Sequence, residues 1–389
     1  MNFELFSEAS SFFKKNQFEI FDQEKWKYTN INQFKKFNSA NDIQNNNECK
    51  ESSSNNIYLK NCEINSNINS SKLSLSNLKK SIDKNLFNCK NIINSILPYE
   101  KDPYLAINTT HFNNGILIHI KDNQNIQNPI NILNDFNEKN KNILLNQRVL
   151  IIVGKNSKVK FFNNESYENN ININSVWEIH ISENSNVDFV NFSNKKNATQ
   201  ILNLGASIEK NSSFHLSTVE VSGKLIKNNF FINLNNDNSQ CFLNGLNHLK
   251  NNDYIDNFVE IKHNHKNTLS DTAFYNLLND KATSIFYAKA VIEKFANNSE
   301  AYQSNKNMLL SQKANIHSNP QLEIYNDDVK CTHSSTTGEI DKDALHYLRS
   351  RGISYKDAYK LIINGFINDI VDRINNDTVN EYLKNNGIK

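Results

Sequence analysis

The sequence predicts a mainly β fold, a parallel β-helix (solenoid) flanked by N-terminal and C-terminal helical regions. Three observations carry this: a switch of apolar period along the chain, a repeat of about 27 residues, and an asparagine at each repeat corner. From about residue 115 apolar residues alternate with polar ones, which predicts short strands at Ile116–Ile120, Val149–Val153, Val159–Phe161, Val176–Ile181 and Val187–Phe192. Inside this region the pattern Asn-Ser-x-apolar-x-apolar recurs, beginning at Asn156, Asn184, Asn211 and Asn238, with offsets of 28, 27 and 27 residues. An Asn that tolerates left-handed backbone, followed by a strand with alternate side chains inward, is one coil of a solenoid. Stacked coils bury a core that no single repeat can build. The register places Val159, Val187, Phe214 and Cys241 in one inward column. With only 9 Gly and 4 Pro, Asn and Asp must supply the tight turns. A β-sandwich would show turn signals every 8 to 12 residues or so, without a fixed long period.

The 389 residues divide by character into three parts: 1–110, 111–320 and 321–389. The first reads as mainly helical, with a polar Asn/Ser stretch from Ser39 to Ser71 expected to be a flexible insertion. Within it, Leu73–Leu97 carries apolar residues three and four apart, expected as one or two helices ending before Pro98. In the last part Asp341–Ser350 is helical in composition, Gly352 ends it, and Ser354 to Asp357 reads as a capping box. The helix that follows aligns Tyr355, Ala358, Tyr359, Ile362, Phe366 and Ile370, a stripe that must dock on the solenoid or on a partner.

Composition bounds the function. Hydrophobic residues make up 38% and charged residues 22%, and 24 Phe with 14 Tyr can build a core, so wholesale disorder is excluded. Asn fills roughly a fifth of the chain, interleaved with Ile, Leu and Phe, which we read as codon bias and not a prion-like tract. The formal charge of +2 is spread along the chain, so no nucleic-acid face is expected. The longest apolar run, Val149–Val153, is far short of the roughly 20 residues of a membrane span, and no export signal opens the chain. A cytoplasmic location is the expectation. Five cysteines without a C-x-x-C pair are expected as free thiols, mostly buried. No phosphate-cradling G-x-x-x-x-G-K-[ST] or G-x-G-x-x-G occurs, nor G-x-S-x-G or H-E-x-x-H, which favours a scaffold over an enzyme.

The residues from Ser299 to Val371 closely resemble the C-terminal block of the SufB/SufD family of iron-sulfur cluster assembly scaffold proteins. The run SEAYQSNKNMLLS (299–311) is similar to its A-x-Q-x-N-x-N-L-L-L-S signature, and NPQLEIYNDDVKCTHSSTTGEID (319–341) to its P-x-L-E-I-x-x-D-D-V-x-C-x-H-G-A-T-x-G-x-I-D core. LHYLRSRGI (345–353), Ala358 and Gly365-Phe366 continue the likeness. Ser334 and Ser335 replace the family's Gly and Ala. Near the N-terminus Glu24 to Thr29 is similar to the E-x-W-K-Y-T motif of the SufD branch. The resemblance implies a right-handed parallel β-helix, a SufB-like paralogue as partner, and a SufC-like ATPase held by the C-terminal helices through Tyr355, Tyr359, Ile362 and Phe366. A homodimer in isolation is the other pairing. It also implies that an iron-sulfur cluster or iron is held transiently at the subunit interface, that the isolated chain binds no cofactor stably, and that His333 of the C-x-H motif takes part in cluster assembly as an iron ligand.

Cys331 and His333 are two residues apart and share a strand face, a spacing suited to iron-sulfur ligation with outside ligands. His263 and His265 form a second such pair, expected on an exposed solenoid face, and adjacent Asp327 and Asp328 point to opposite faces and are expected in a turn or interface. Two other readings stay open: a β-helix enzyme acting on polysaccharide, which predicts Asp or Arg in register from coil to coil, and a SufB-like scaffold holding its own cluster.

Overall fold

The computed structural model describes residues 3–18, 24–30, 32–39, 52, 55–61, 64, 68–112, 115–136, 142–167 and 170–386. Two parallel sheets face each other across a lumen, and each coil contributes one strand to each sheet, for about seven turns. The first sheet runs from Asn56–Lys60 and Ile130–Asp135 through Lys158–Tyr167 and the first halves of Asn186–Ile208 and Ser213–Leu234. It continues through Gln240–Leu249, Leu269–Leu278 and Ser299–Leu309 to Val329–Glu339. The second runs from Ile116–Ile120 through Ile143–Val153, Asn172–Ile181 and the second halves of the two long strands. Tyr254–His263, Thr283–Ile292 and Asn315–Ile324 complete it.

The corners explain the repeat. Asn156, Asn184, Asn211 and Asn238 all hold positive φ, between 54° and 61°. Each side-chain amide donates to the asparagine of the coil before, from Asn156 on Asn123 to Asn238 on Asn211, at 2.8–3.1 Å. The serines that follow point inward: Ser185 Oγ donates to Gly154 O at 2.8 Å, and the Ser157 amide donates to Ser185 Oγ at 3.0 Å. One residue thus supplies the left-handed turn and the next ties two coils together. Asn267-Thr268 and Asn298-Ser299 are two more such corners, hidden from the repeat because their coils are longer and one carries Thr.

Val159, Val187, Phe214 and Cys241 are aligned in register and fully buried, as the inward column requires. Cys89 and Cys241 are buried free thiols, and Cys49 and Cys62 lie outside the described residues. The inward alternation continues past each apolar pair into polar residues: Asn163 and Glu165, then Asn191, Ser193 and Lys195, then Thr218 and Glu220. The lumen is therefore apolar along one side and polar along the other. The buried amides pair across coils, as in Asn163 Nδ2 to Asn191 Oδ1 at 2.7 Å and Asn276 Nδ2 to Asn307 Oδ1 at 2.6 Å.

Four expectations are corrected. Strands continue beyond 320 to Glu339, so the segment placed at the head of the C-terminal region is the last coil. Leu73–Asn77 is a strand, antiparallel to Ile116–Ile120, because Leu73 and Leu75 cap the apolar lumen, and helix begins only at Leu78. His263 is fully buried, with its ring nitrogens 2.8 Å from the hydroxyls of Thr268 and Ser270, and burial pushes its pKa down to about 3, while His265 beside Asp237 is exposed. Most of the Ser39–Ser71 stretch lies outside the described residues, but within it Asn56–Lys60 is no flexible insertion: it is a strand paired with Ile130–Asp135, because Ile57 and Leu59 enter the apolar lumen.

Helices cover the outer faces. The N-terminal helices lie on the second sheet, where Trp26, Phe34 and Tyr104 pack with Leu144, Ile201 and Leu225. There the Glu178 carboxylate accepts the backbone N–H groups of Asn94, Ile96 and Leu97 and pairs with buried Arg148. On the first sheet, helix Tyr355–Ile374 presses Ile363, Ile367, Ile370 and Ile374 against Phe162, Phe192, Val219 and Tyr275. Ser354 caps it as expected, accepting from the Asp357 N–H at 3.1 Å, and Gly352 takes a φ of +84° after helix Lys342–Ser350.

Candidate functional site

Among the described residues nothing caps the last coil of the solenoid. Among the described residues Asn315–Ile324 pairs only with Thr283–Ile292, and Val329–Glu339 only with Ser299–Leu309, so each presents one edge of backbone donors and acceptors unpaired by them. Such edges pair readily with another chain. At this open end the inward positions are no longer covered: Cys331 is half-buried, and His333 and Ser335 are exposed. Register places Cys331 over Ala301 and His333 over Gln303.

Cys331 and His333 are therefore brought to one face. Cys331 packs beside Ala301, Ile292 and Leu322, and burial pushes its thiol pKa up, so it is not an activated thiolate. Gln303, missed by the sequence reading, lies beneath His333. Its Nε2 donates to Gln321 O at 3.3 Å, and its buried Oε1 has no hydrogen-bond partner. The signal was present in the alternation, since Gln303 follows Ala301 on the inward face of Ser299–Leu309. Ser334 and Ser335 leave the strand regular, paired with Ser304 and Asn305, and Ser335 Oγ lies 2.8 Å from Ser318 Oγ. Asp327 and Asp328 sit in the turn between the two end strands, where Asp328 O accepts the Asn298 N–H at 2.8 Å. Among the described residues no group of three His, Cys, Asp or Glu could hold a metal ion. Cys331 and His333 offer two donor side chains on one face, and any cluster held there would need ligands from elsewhere.

The other predicted set lies on a separate element. Ile362 and Phe366 are half-buried against the solenoid, with the Phe366 ring 5.5 Å from that of Tyr275. Tyr359 is half-buried and stacks 6.0 Å from exposed Tyr355. The stripe thus docks mainly on the chain's own sheet. Tyr347, Tyr355 and Leu361 stay exposed, with the Arg349 and Arg351 guanidiniums over the Tyr355 and Tyr347 rings. No helix among the described residues is long and apolar enough to cross a membrane.

Fold and site together define a two-sheet parallel β-helix with helices along its flanks and Cys331 and His333 on its last described strand. The family profile described as SUF system FeS cluster assembly, SufBD core domain, matches residues 136–366, and the chain belongs to the SufB/SufD family. It is 26% identical over 283 residues to an iron-sulfur cluster assembly SufBD family protein of Synechocystis sp., covering 69% of this chain and 62% of that protein. It is 30% identical over 163 residues to the iron-sulfur cluster assembly protein SufD of Escherichia coli, covering 42% of this chain and 38% of that one. With SufD of Bacillus subtilis it shares 37% over 100 residues, 26% of this chain and 23% of the relative. The chain spans less than two thirds of the length of each of these relatives.

Proposed function

We propose that this chain is a SufD-type scaffold subunit of a SUF iron-sulfur cluster assembly complex, acting in the cytoplasm and non-catalytic by itself. In this reading it pairs end to end with a SufB-type paralogue and recruits a SufC-type ATPase through its C-terminal helices. The observation that carries it is the uncapped last coil: two edge strands with free backbone groups, one bearing Cys331 and His333. Pairing another solenoid onto those edges closes the lumen and brings further ligands against His333. The cluster is cargo, not a resident cofactor. An exposed imidazole can ligate iron, whereas the Cys331 thiol, disfavoured as a thiolate, supports packing first. For the ATPase, the exposed Tyr347, Tyr355 and Leu361 surface is the docking face, with Tyr359, Ile362 and Phe366 holding its helix in place.

The test is to purify the three-subunit complex with His333→Ala and measure subunit stoichiometry alongside maturation of an iron-sulfur reporter. Intact stoichiometry with impaired maturation is expected. Normal maturation reduces His333 to a structural residue, and loss of the complex moves its role to packing. A lone chain that pairs with itself through the same edges gives a homodimer that the paralogue should displace.

A further inference from the structure

The Glu24 to Thr29 segment crosses the outer face of the second sheet and touches five neighbouring strands, which at ~4.8 Å per strand spans about 19 Å. Its buried residues face the inner coils. Lys25 pairs with Asp102 at 2.7 Å, reaches Asn203 at 3.3 Å and sits 5.2 Å above the Phe231 ring. The Trp26 Nε1–H donates to Asp102, and the Thr29 hydroxyl donates to Asp256, which also holds buried Lys227 at 2.8 Å. The exposed side of the segment turns toward the open end. Glu24 Oε2 lies 2.9 Å from the Tyr287 hydroxyl, which is 2.6 Å from Gln321 Oε1 on the outermost strand. The Tyr28 ring stacks on His317 of that strand at 4.8 Å and 19°.

That strand needs support. Among the described residues Asn315–Ile324 has one neighbouring strand, lacks a donor at Pro320, and buries no residue fully. We infer that Glu24 to Thr29 is a clasp: Lys25, Trp26 and Thr29 anchor it, while Glu24 and Tyr28 hold Asn315–Ile324 in the position from which the second scaffold chain pairs with it. The inference rests on the end-to-end pairing proposed above and assigns a role in that pairing to a segment distant in sequence from the pairing edge.

The experiment is native-state hydrogen exchange on the full chain and on a Glu24→Ala, Tyr28→Ala double variant, neither position being an anchor. Amides of Asn315–Ile324 bonded to Thr283–Ile292 should exchange about tenfold faster, while those of Tyr254–His263 stay within about twofold. Unchanged exchange at Asn315–Ile324 overturns the clasp. The same variant should bind a purified SufB-type paralogue about tenfold more weakly. Accelerated exchange with unaltered affinity overturns the link to pairing. A wild-type chain that never captures the paralogue refutes the pairing reading instead, and the exchange comparison still decides the clasp.

Discussion

Glu220 should make the stability of the solenoid depend on pH in a defined direction. Inside the lumen the Lys195 ammonium lies 2.7 Å from Glu165 and 3.8 Å from Glu220, all three fully buried, so two carboxylates share one cation. The nearer carboxylate takes the pair, and Glu220 is left with an Asn228 amide at 3.2 Å on one oxygen and no partner on the other. Burial pushes the Glu220 pKa up to about 7 from 4.5, opposed by Lys195 and reinforced by Glu165. Because the folded-state pKa lies above the unfolded one, the native state binds the proton more tightly. The neutral form's contribution is complete below pH 4.5 or so and is lost as pH rises through about 7. A rise of about 2.5 units at 1.36 kcal/mol each corresponds to about 3 kcal/mol. Glu220→Gln removes the titration while keeping shape and the Asn228 contact. It should be near neutral at pH 5 and stabilising by about 3 kcal/mol at pH 8.5, read from urea midpoints at the two pH values. Lys195→Met should do the reverse, destabilising far more at pH 8.5 than at pH 5. Equal destabilisation by Glu220→Gln at both pH values would show that Glu220 is ionised in the native lumen and needed by Lys195, refuting the shared-cation reasoning.

Further outcomes follow from packing. Val187→Asp places an unpaired carboxylate between Val159 and Phe214 in the apolar lumen and should cost about 3–5 kcal/mol by chemical denaturation, a loss under about 1 kcal/mol arguing against the column. Ile367→Asp, at a fully buried position, should undock helix Tyr355–Ile374 and expose it to limited proteolysis, whereas Tyr355→Ala should leave it docked and weaken only ATPase capture. If Tyr355→Ala retains full capture, the ATPase docks elsewhere. Gly205→Val would place a Cβ 2.6 Å from Ile96 and 2.9 Å from Leu97, which should loosen the N-terminal unit by about 1–3 kcal/mol and speed exchange around 94–112 with the solenoid intact.

The coil was legible because its determinants are local. A left-handed corner admits few residues, so Asn recurs at Asn156, Asn184, Asn211 and Asn238, and the strand period alone sends Val159 and Val187 inward. The helix Tyr355–Ile374 announced itself for the same reason, through Ser354 and Gly352. Leu73–Asn77 reads as helix from sequence because Leu75, Leu78 and Ile82, three and four apart, carry the helical pattern back into it, and antiparallel pairing with Ile116–Ile120 decided for strand. What only the tertiary structure decided depends on which coil is last and on what lies opposite. Cys331 and His333 share a face by sequence, yet their exposure comes from having no coil above them, and Gln303 joins them only through register. The alternation of Val259 and Ile261 carries inward to His263, but a histidine at its end reads as exposed until the fold brings Thr268 and Ser270 against both ring nitrogens. Nor could spacing show that Glu24 to Thr29 lies against strands up to 290 residues or so further on, since contacts between distant segments are set by the stacking of coils and leave no period in the chain.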